Sequence, residues 1–266
     1  MTEEIYDSFE TQTALKALGS LTRSLPEPFI LLGGWAVFFT SNKSYEKEHG
    51  VSYLGSRDVD IGFHIDPRMS VEELRQCTYS RAIEIIKDCG YCPTGSFRYC
   101  KFINKETGDI LSEKEASGFP LHEIYYLYLD MMVDYVHPYH KKVFNCNALD
   151  EPILARVFKE GNGITVSLGN DKVSIPPPYL LLATKLKAIP DRQKDDKILK
   201  DACDIYAIIW HSSEKYDGIL DEIRREYPQE CKNALEIITD GLAARAAQHL
   251  GIDSKQYNEV IRKLAL

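Results

Sequence analysis

Two aspartates stand two residues apart in the run Arg57-Asp58-Val59-Asp60-Ile61-Gly62-Phe63-His64-Ile65. Val59, Ile61, Phe63 and Ile65 alternate with the polar positions, and a period of two predicts a strand with Asp58 and Asp60 on one face. Carboxylates held side by side repel unless a cation sits between them. Oxygen ligands of this kind suit Mg²⁺, which keeps waters and recruits substrate phosphates. Upstream, Gly33-Gly34 separate the apolar run Phe29–Leu32 from Trp35-Ala36-Val37, which restarts as a helix. Glycines let the backbone approach a ligand, and a helix N-terminus attracts phosphate. Each pattern also has a plain structural origin: a solvated strand face for the aspartates, the sterics of a strand–helix turn for the glycines.

Taken together, Leu32-Gly33-Gly34 and Ser56-Arg57-Asp58-Val59-Asp60-Ile61 resemble the signature of the nucleotidyltransferase superfamily of the DNA polymerase β type. The spacer is longer than the family's usual one. Long spacers occur in the branch of the AbiEii-type abortive-infection toxin and related minimal nucleotidyltransferases. The resemblance implies a third carboxylate on a neighbouring strand. Leu127–Val136 offers Asp130 and Asp134, four apart and so on one side of a regular strand. Asp130, set among Leu129, Met131, Met132 and Val133, is the favoured one. The resemblance further implies that Asp58, Asp60 and Asp130 hold two Mg²⁺ (or Mn²⁺) ions. A nucleoside triphosphate would be the substrate, with Gly33, Gly34 and Ser56 donating to its phosphates. Arg57 would pair with a phosphate or with a nearby carboxylate. An acceptor hydroxyl would attack the α-phosphate in line while pyrophosphate leaves.

Further on, Lys185, Lys187, Arg192, Lys194, Lys197 and Lys200 concentrate positive charge, and Asp201-Ala202-Cys203-Asp204 sets two carboxylates at i, i+3 on a helix. These carboxylates are suited to positioning a lysine, acting as a base, or facing solvent. The abortive-infection-type branch has a lysine on one helix and Asp-x-x-Asp on the next; the matching positions are Lys185, Arg192, Lys200, Asp201 and Asp204. By that resemblance Lys185 contacts phosphate and Asp201 assists acceptor activation, with Lys187 the competing lysine. The acceptor (a tRNA end, a protein, or an antibiotic or other small molecule) is not written in these residues. The rival reading is a non-catalytic nucleotide- or RNA-binding, or toxin–antitoxin-type, protein on the same fold. The resemblance spans roughly residues 20–210.

The elements that must position these residues follow from periodicity. Residues 7–22 read as an amphipathic helix, Phe29–Leu32 as a buried strand, Ser41–Ser56 as a polar loop, 70–90 as one helix, and 97–104 as a strand. Residues 104–120 read as a loop. Leu121–Val136 reads as a central strand, and Ile164–Leu168 with Lys172–Pro176 as a hairpin. Beyond Pro176-Pro177-Pro178 every segment is helical, with residues 229–250 reading as one helix. The fold class is therefore α/β (α+β): a mixed sheet flanked by helices over residues 1–175, then a helical region over 176–266.

The 266 residues carry 27% charged side chains and a net charge of −8, which argues against whole-surface nucleic-acid binding but allows a local basic groove. The acidic start Met-Thr-Glu-Glu-Ile is unlike a signal peptide, and no apolar run approaches a membrane span. Seven cysteines, an odd number, fit reduced thiols in a cytoplasmic protein. Cys89, Cys92 and Cys100 lack the second Cys pair that a zinc knuckle needs. His137 and His140, separated by a proline, read as a turn rather than a metal site. His64 shares the polar side with Asp58 and Asp60, where the plain reading is a polar strand residue.

Overall fold

The computed structural model describes residues 6–95, 97–212 and 216–265; the acidic start at residues 1–5 lies outside them. The chain divides into two compact units. The first, the sheet unit, comprises residues 6–35 and 56–176; the second, the helical unit, comprises residues 36–55 and those from 177 onward.

The sheet unit opens with α1 (Ser8–Ser24), whose N-terminus Asp7 caps by accepting from the Phe9 N–H at 2.8 Å. Ala14, Leu18 and Leu21, three to four apart, are its buried stripe. Next come β1 (Ile30–Leu31), α2 (Gly33–His49, passing into the helical unit) and β2 (Val59–Phe63). They are followed by α3 (Val71–Gln76), α4 (Thr78–Asp88), β3 (Cys92–Thr94) and β4 (Arg98–Asn104). The unit continues through β5 (Ile110–Leu111), α5 (Glu113–Ala116), β6 (Ile124–Val133), α6 (His140–Phe144), β7 (Leu149–Asp150) and α7 (Ile153–Glu160). It closes with the hairpin of β8 (Ile164–Leu168) and β9 (Asp171–Ile175).

Among the described residues the main sheet has seven strands in the order β1-β2-β6-β4-β3, with β5 added to β4 and β7 to β6. It is mixed: β6 runs parallel to β2 and β7 and antiparallel to β4. Strand β6 is central. Leu127, Leu129, Met131 and Val133 are all fully buried, as are Val59, Ile61 and Phe63 of β2. At about 1.5–3 kcal/mol for each large side chain removed from water, this layer fixes which face of β2 turns inward.

The helical unit begins within α2 and continues with α8 (Pro178–Ala188), α9 (Asp195–His211), α10 (Tyr216–Glu226), α11 (Pro228–Ile237), α12 (Asp240–Leu250) and α13 (Ser254–Ile261). Helix α9 is its axis: from Leu199 to Ile209 every side chain is buried. Helices α8, α12 and α13 pack against it.

Several expectations are corrected. Residues 41–49 are helix rather than loop, because Val37, Ser41 and Tyr45 repeat at four-residue intervals and are all buried. The helix over 70–90 breaks at Cys77, whose backbone is extended, and Ser70 and Glu73 form a capping box at its start. The 104–120 loop contains β5 and a short α5 with its own capping box of Ser112 and Glu115. The helix over 229–250 breaks at Ile238-Thr239. Among the described residues no helix is long and apolar enough to cross a membrane.

Candidate active site

Strand β1 pairs with β2 through Ile30 with Gly62 and Leu31 with Ile61, and the Leu32 N–H donates to the Asp60 carbonyl at 2.9 Å. This lays the start of α2 on Asp60. Gly33 has φ +60°, and a Cβ there would overlap the Asp60 carboxylate. A Cβ on Gly34 would come within 2.8 Å of the Ser56 Cβ. Both positions are therefore bare backbone for a steric reason, one facing Asp60 and the other Ser56. The Ser56 hydroxyl in turn accepts from the Asp58 N–H at 3.3 Å. The four orphan N–H groups that begin any helix open at the same place.

Asp60 is in register with Asp130 across the parallel β2–β6 pair, and Asp130 is in register with Arg98 across the antiparallel β6–β4 pair. Register partners share a face. Asp60, Asp130 and Arg98 thus form one row across three strands, with Asp58 immediately before β2. Arg98 grips Asp130 with a two-pronged fork: Nε to Oδ1 and a terminal nitrogen to Oδ2, both at 2.6 Å. Its guanidinium lies 4.6 Å from the centre of the Tyr128 ring. Hydrogen bonding to Asp130 holds Arg98 above the usual arginine range despite its partial burial, and the charges of Asp130, Asp58 and Asp60 add to this. Arg98 is a member of this row that sequence reasoning missed; its signal is a cation entering a strand whose partner carries Asp130.

These residue types suit a hard divalent cation: carboxylate oxygens as donors, and a backbone cradle at Gly33 where a side chain would intrude. The three aspartates do not, as they stand, bring three oxygens within 4.8 Å of one another. An ion at this row would compete with Arg98 for Asp130, whose two oxygens the guanidinium already holds.

Other predicted residues are engaged elsewhere. Asp134 accepts from the Ile65 N–H at 2.8 Å and pairs with His64, so both turn to holding the end of β2. The Arg57 guanidinium lies 3.4 Å from Glu10 of α1, the second of its two predicted partners, and its carbonyl accepts from the Tyr125 hydroxyl. His137 engages both ring nitrogens, with the Met69 carbonyl at 3.0 Å and the Tyr139 N–H at 3.2 Å. Cys92 and Cys100 face each other across β3–β4, and both are free thiols. A cleft of about 520 Å³ beside β1, α7 and the β8–β9 hairpin is lined by none of the predicted site residues.

In the helical unit, Lys185 of α8 lies 2.9 Å from Asp201 and 2.8 Å from Asp204 of α9. Arg192 reaches Asp201 at 2.7 Å, and Lys200 pairs with Asp204, which also accepts from the Tyr53 hydroxyl at 2.7 Å. Burial opposes the Lys185 charge but is outweighed by Asp201 and Asp204, so its ammonium is held above the lysine range. Burial wins at Lys200, which is pushed down. Asp201 and Asp204 thus position a lysine, and neither faces solvent. Lys187 and Lys194 are exposed.

No protein-family model matches the chain, and no curated protein matches it. Among solved structures, it is similar to the crystal structure of an antigenic nucleotidyltransferase-like protein from Paracoccidioides brasiliensis. The likeness has 14% identity and a TM-score of 0.38, over 86% of this chain and 93% of that one.

Proposed function

We propose that the chain is a metal-dependent nucleotidyltransferase whose centre is the row Asp58, Asp60 and Asp130. The observation that carries the reading is the register of Asp60 with Asp130, beneath a Gly33 backbone that leaves no room for a side chain. Mg²⁺ (or Mn²⁺) held by the three carboxylates would neutralise a nucleoside triphosphate and lower the pKa of an acceptor hydroxyl. The N–H groups of Gly33, Gly34 and the first turn of α2 bind phosphate oxygens. Ser56 fixes the backbone of Asp58. Arg98, once released from Asp130, turns its fork to the triphosphate, the geometry guanidinium shares with phosphate. The acceptor hydroxyl would give its proton to solvent, its oxygen would bond to the α-phosphorus, and pyrophosphate would leave with the electron pair of the broken P–O bond.

The finer placement beside the AbiEii-type branch is part of the same proposal. It is supported by the meeting of Lys185, Arg192, Asp201 and Asp204 in one cluster. In this reading Lys185 and Asp201 brace the helical unit rather than contact phosphate or acceptor, because both are buried and each is neutralised by the other. One observation favours the rival, a nucleotide-binding protein without transfer: both oxygens of Asp130 are engaged by Arg98.

The test is transfer of label from each of four α-labelled nucleoside triphosphates, with Mg²⁺, to RNA, protein and small-molecule fractions of a cell extract. Label entering one fraction, and lost in Asp58→Asn/Asp60→Asn, is expected and identifies the acceptor class. Mg²⁺-dependent triphosphate binding without transfer would favour the rival. Neither binding nor transfer would refute both.

A further inference from the structure

Helices α2 and α9 end at a second group of metal-ligating side chains, in the helical unit. A carboxylate oxygen of Glu48 and one ring nitrogen each of His49 and His211 lie within 4.8 Å of one another. The His211 side chain is fully buried and that of His49 is 16% exposed. Nε2 of both rings is buried and makes no hydrogen bond among the described residues. His211 Nδ1 lies 3.4 Å from the Ser44 hydroxyl. With its proton directed there, the ring presents the Nε2 lone pair, the arrangement by which an outer hydrogen bond orients a ligating histidine. Trp210 donates to Glu48 at 3.3 Å, and the Tyr45 ring packs against both imidazoles at 4.4 and 5.1 Å. Both helices direct their negative C-terminal ends here, and Glu48 adds a full negative charge, so the place favours a cation.

We propose that Glu48, His49 and His211 form a binding site for a first-row divalent metal, with Zn²⁺ as the fitting ion. Two imidazoles and one carboxylate are a zinc donor set that leaves a fourth position for water. Bonds of about 2.0–2.2 Å put tetrahedral neighbours about 3.3 Å apart. Oxygens of Glu48 already lie 3.8 Å from His49 Nε2 and 3.9 Å from His211 Nδ1, and its half-exposed side chain has the freedom to close on an ion.

The test strips the full-length chain with a chelator and titrates it with Co²⁺ and then Zn²⁺, in the Asp58→Asn/Asp60→Asn background so that the carboxylate row does not compete. One equivalent of Co²⁺ with four-coordinate visible bands and no thiolate charge transfer, displaced by Zn²⁺, is expected. His49→Gln and Glu48→Gln, both at accessible positions, should each weaken binding by more than about tenfold, and Ser44→Ala by about tenfold. Circular dichroism should stay native throughout. No Co²⁺ bands in a natively folded chain, bands that survive His49→Gln, or bands with thiolate charge transfer would each overturn the proposal.

Discussion

Replacing Arg98 with Met tests whether its guanidinium keeps a metal ion from Asp130. In the native chain it neutralises Asp130, a carboxylate only 9% exposed, through two hydrogen bonds of 2.6 Å. A forked pair holds its charge centres about 4 Å apart, worth about 4 kcal/mol at an effective dielectric of 20. Arg98 is itself 36% exposed, so solvent screening lowers this to about 2–3 kcal/mol. Met keeps the stem packed on Tyr128 and removes the charge, leaving Asp130 buried beside Asp60. At about 2–4 °C per kcal/mol, the melting temperature in chelator should fall by about 4–12 °C. Mg²⁺ should then recover the loss, because the vacated carboxylates bind it more readily. An ion at one hundred times its dissociation constant contributes about 2.7 kcal/mol. The assay is thermal unfolding of wild type and Arg98→Met over a Mg²⁺ series, with Arg98→Met/Asp130→Asn as the control. The double variant should regain most of the stability without metal and lose the Mg²⁺ response. A single variant that melts low and ignores both Mg²⁺ and Mn²⁺ would refute the idea that the row is a metal site held shut by Arg98.

Gly33→Ala should abolish nucleotide transfer and destabilise by at least about 1–2 kcal/mol, the cost of a non-glycine residue at φ +60°; transfer assays and denaturant melts would check it. Lys185→Met leaves Asp201 and Asp204 short of a buried cation and should cost about 3–5 kcal/mol, whereas exposed Lys187→Met should stay within about 0.5 kcal/mol, as read by urea unfolding. Burial, and then nearby His137, push His140 down to about 4. Its folded value lies below its unfolded one, so the unfolded chain takes up the proton first. The stability it contributes is complete above the ordinary histidine range and is lost as pH falls from about 6.5 toward 4. In His140→Gln that part of the pH–stability curve should flatten.

Alternation suffices to put Asp60 on the side opposite Val59, Ile61 and Phe63, which must all turn inward; Asp58 stands in a bend just before β2, beyond the reach of the strand's period of two. Asp130 is conspicuous in sequence for a related reason: a charge inside Leu129–Val133 has to be satisfied. Arg98 is not legible in the same way, because its partner lies thirty-two residues away and is chosen by the register of β4 on β6. Register is a non-local property that spacing does not carry. The second half of α2 was hidden because its buried stripe includes Ser41, a residue that apolar periodicity does not count. Nor does the spacing of Lys185, Asp201 and Asp204 reveal whether the cluster faces water or is sealed from it. Burial was what the structure added.

The path of the chain has a consequence for the order of assembly. Residues 36–55 belong with segments that begin only at 177. During synthesis the sheet unit has all its strands once residue 176 has emerged. Tyr45 and Tyr53, already made, still lack the Leu250 carbonyl and the Asp204 carboxylate that their hydroxyls will bond. At about 5–20 residues per second, the roughly 75 residues still needed to reach Leu250 take about 4–15 s. For that interval the residues of the buried face of α2 lack the partners they pack with in the folded chain. A nascent chain paused there offers a sticky surface, and that is where an assisting factor would have the most to hold.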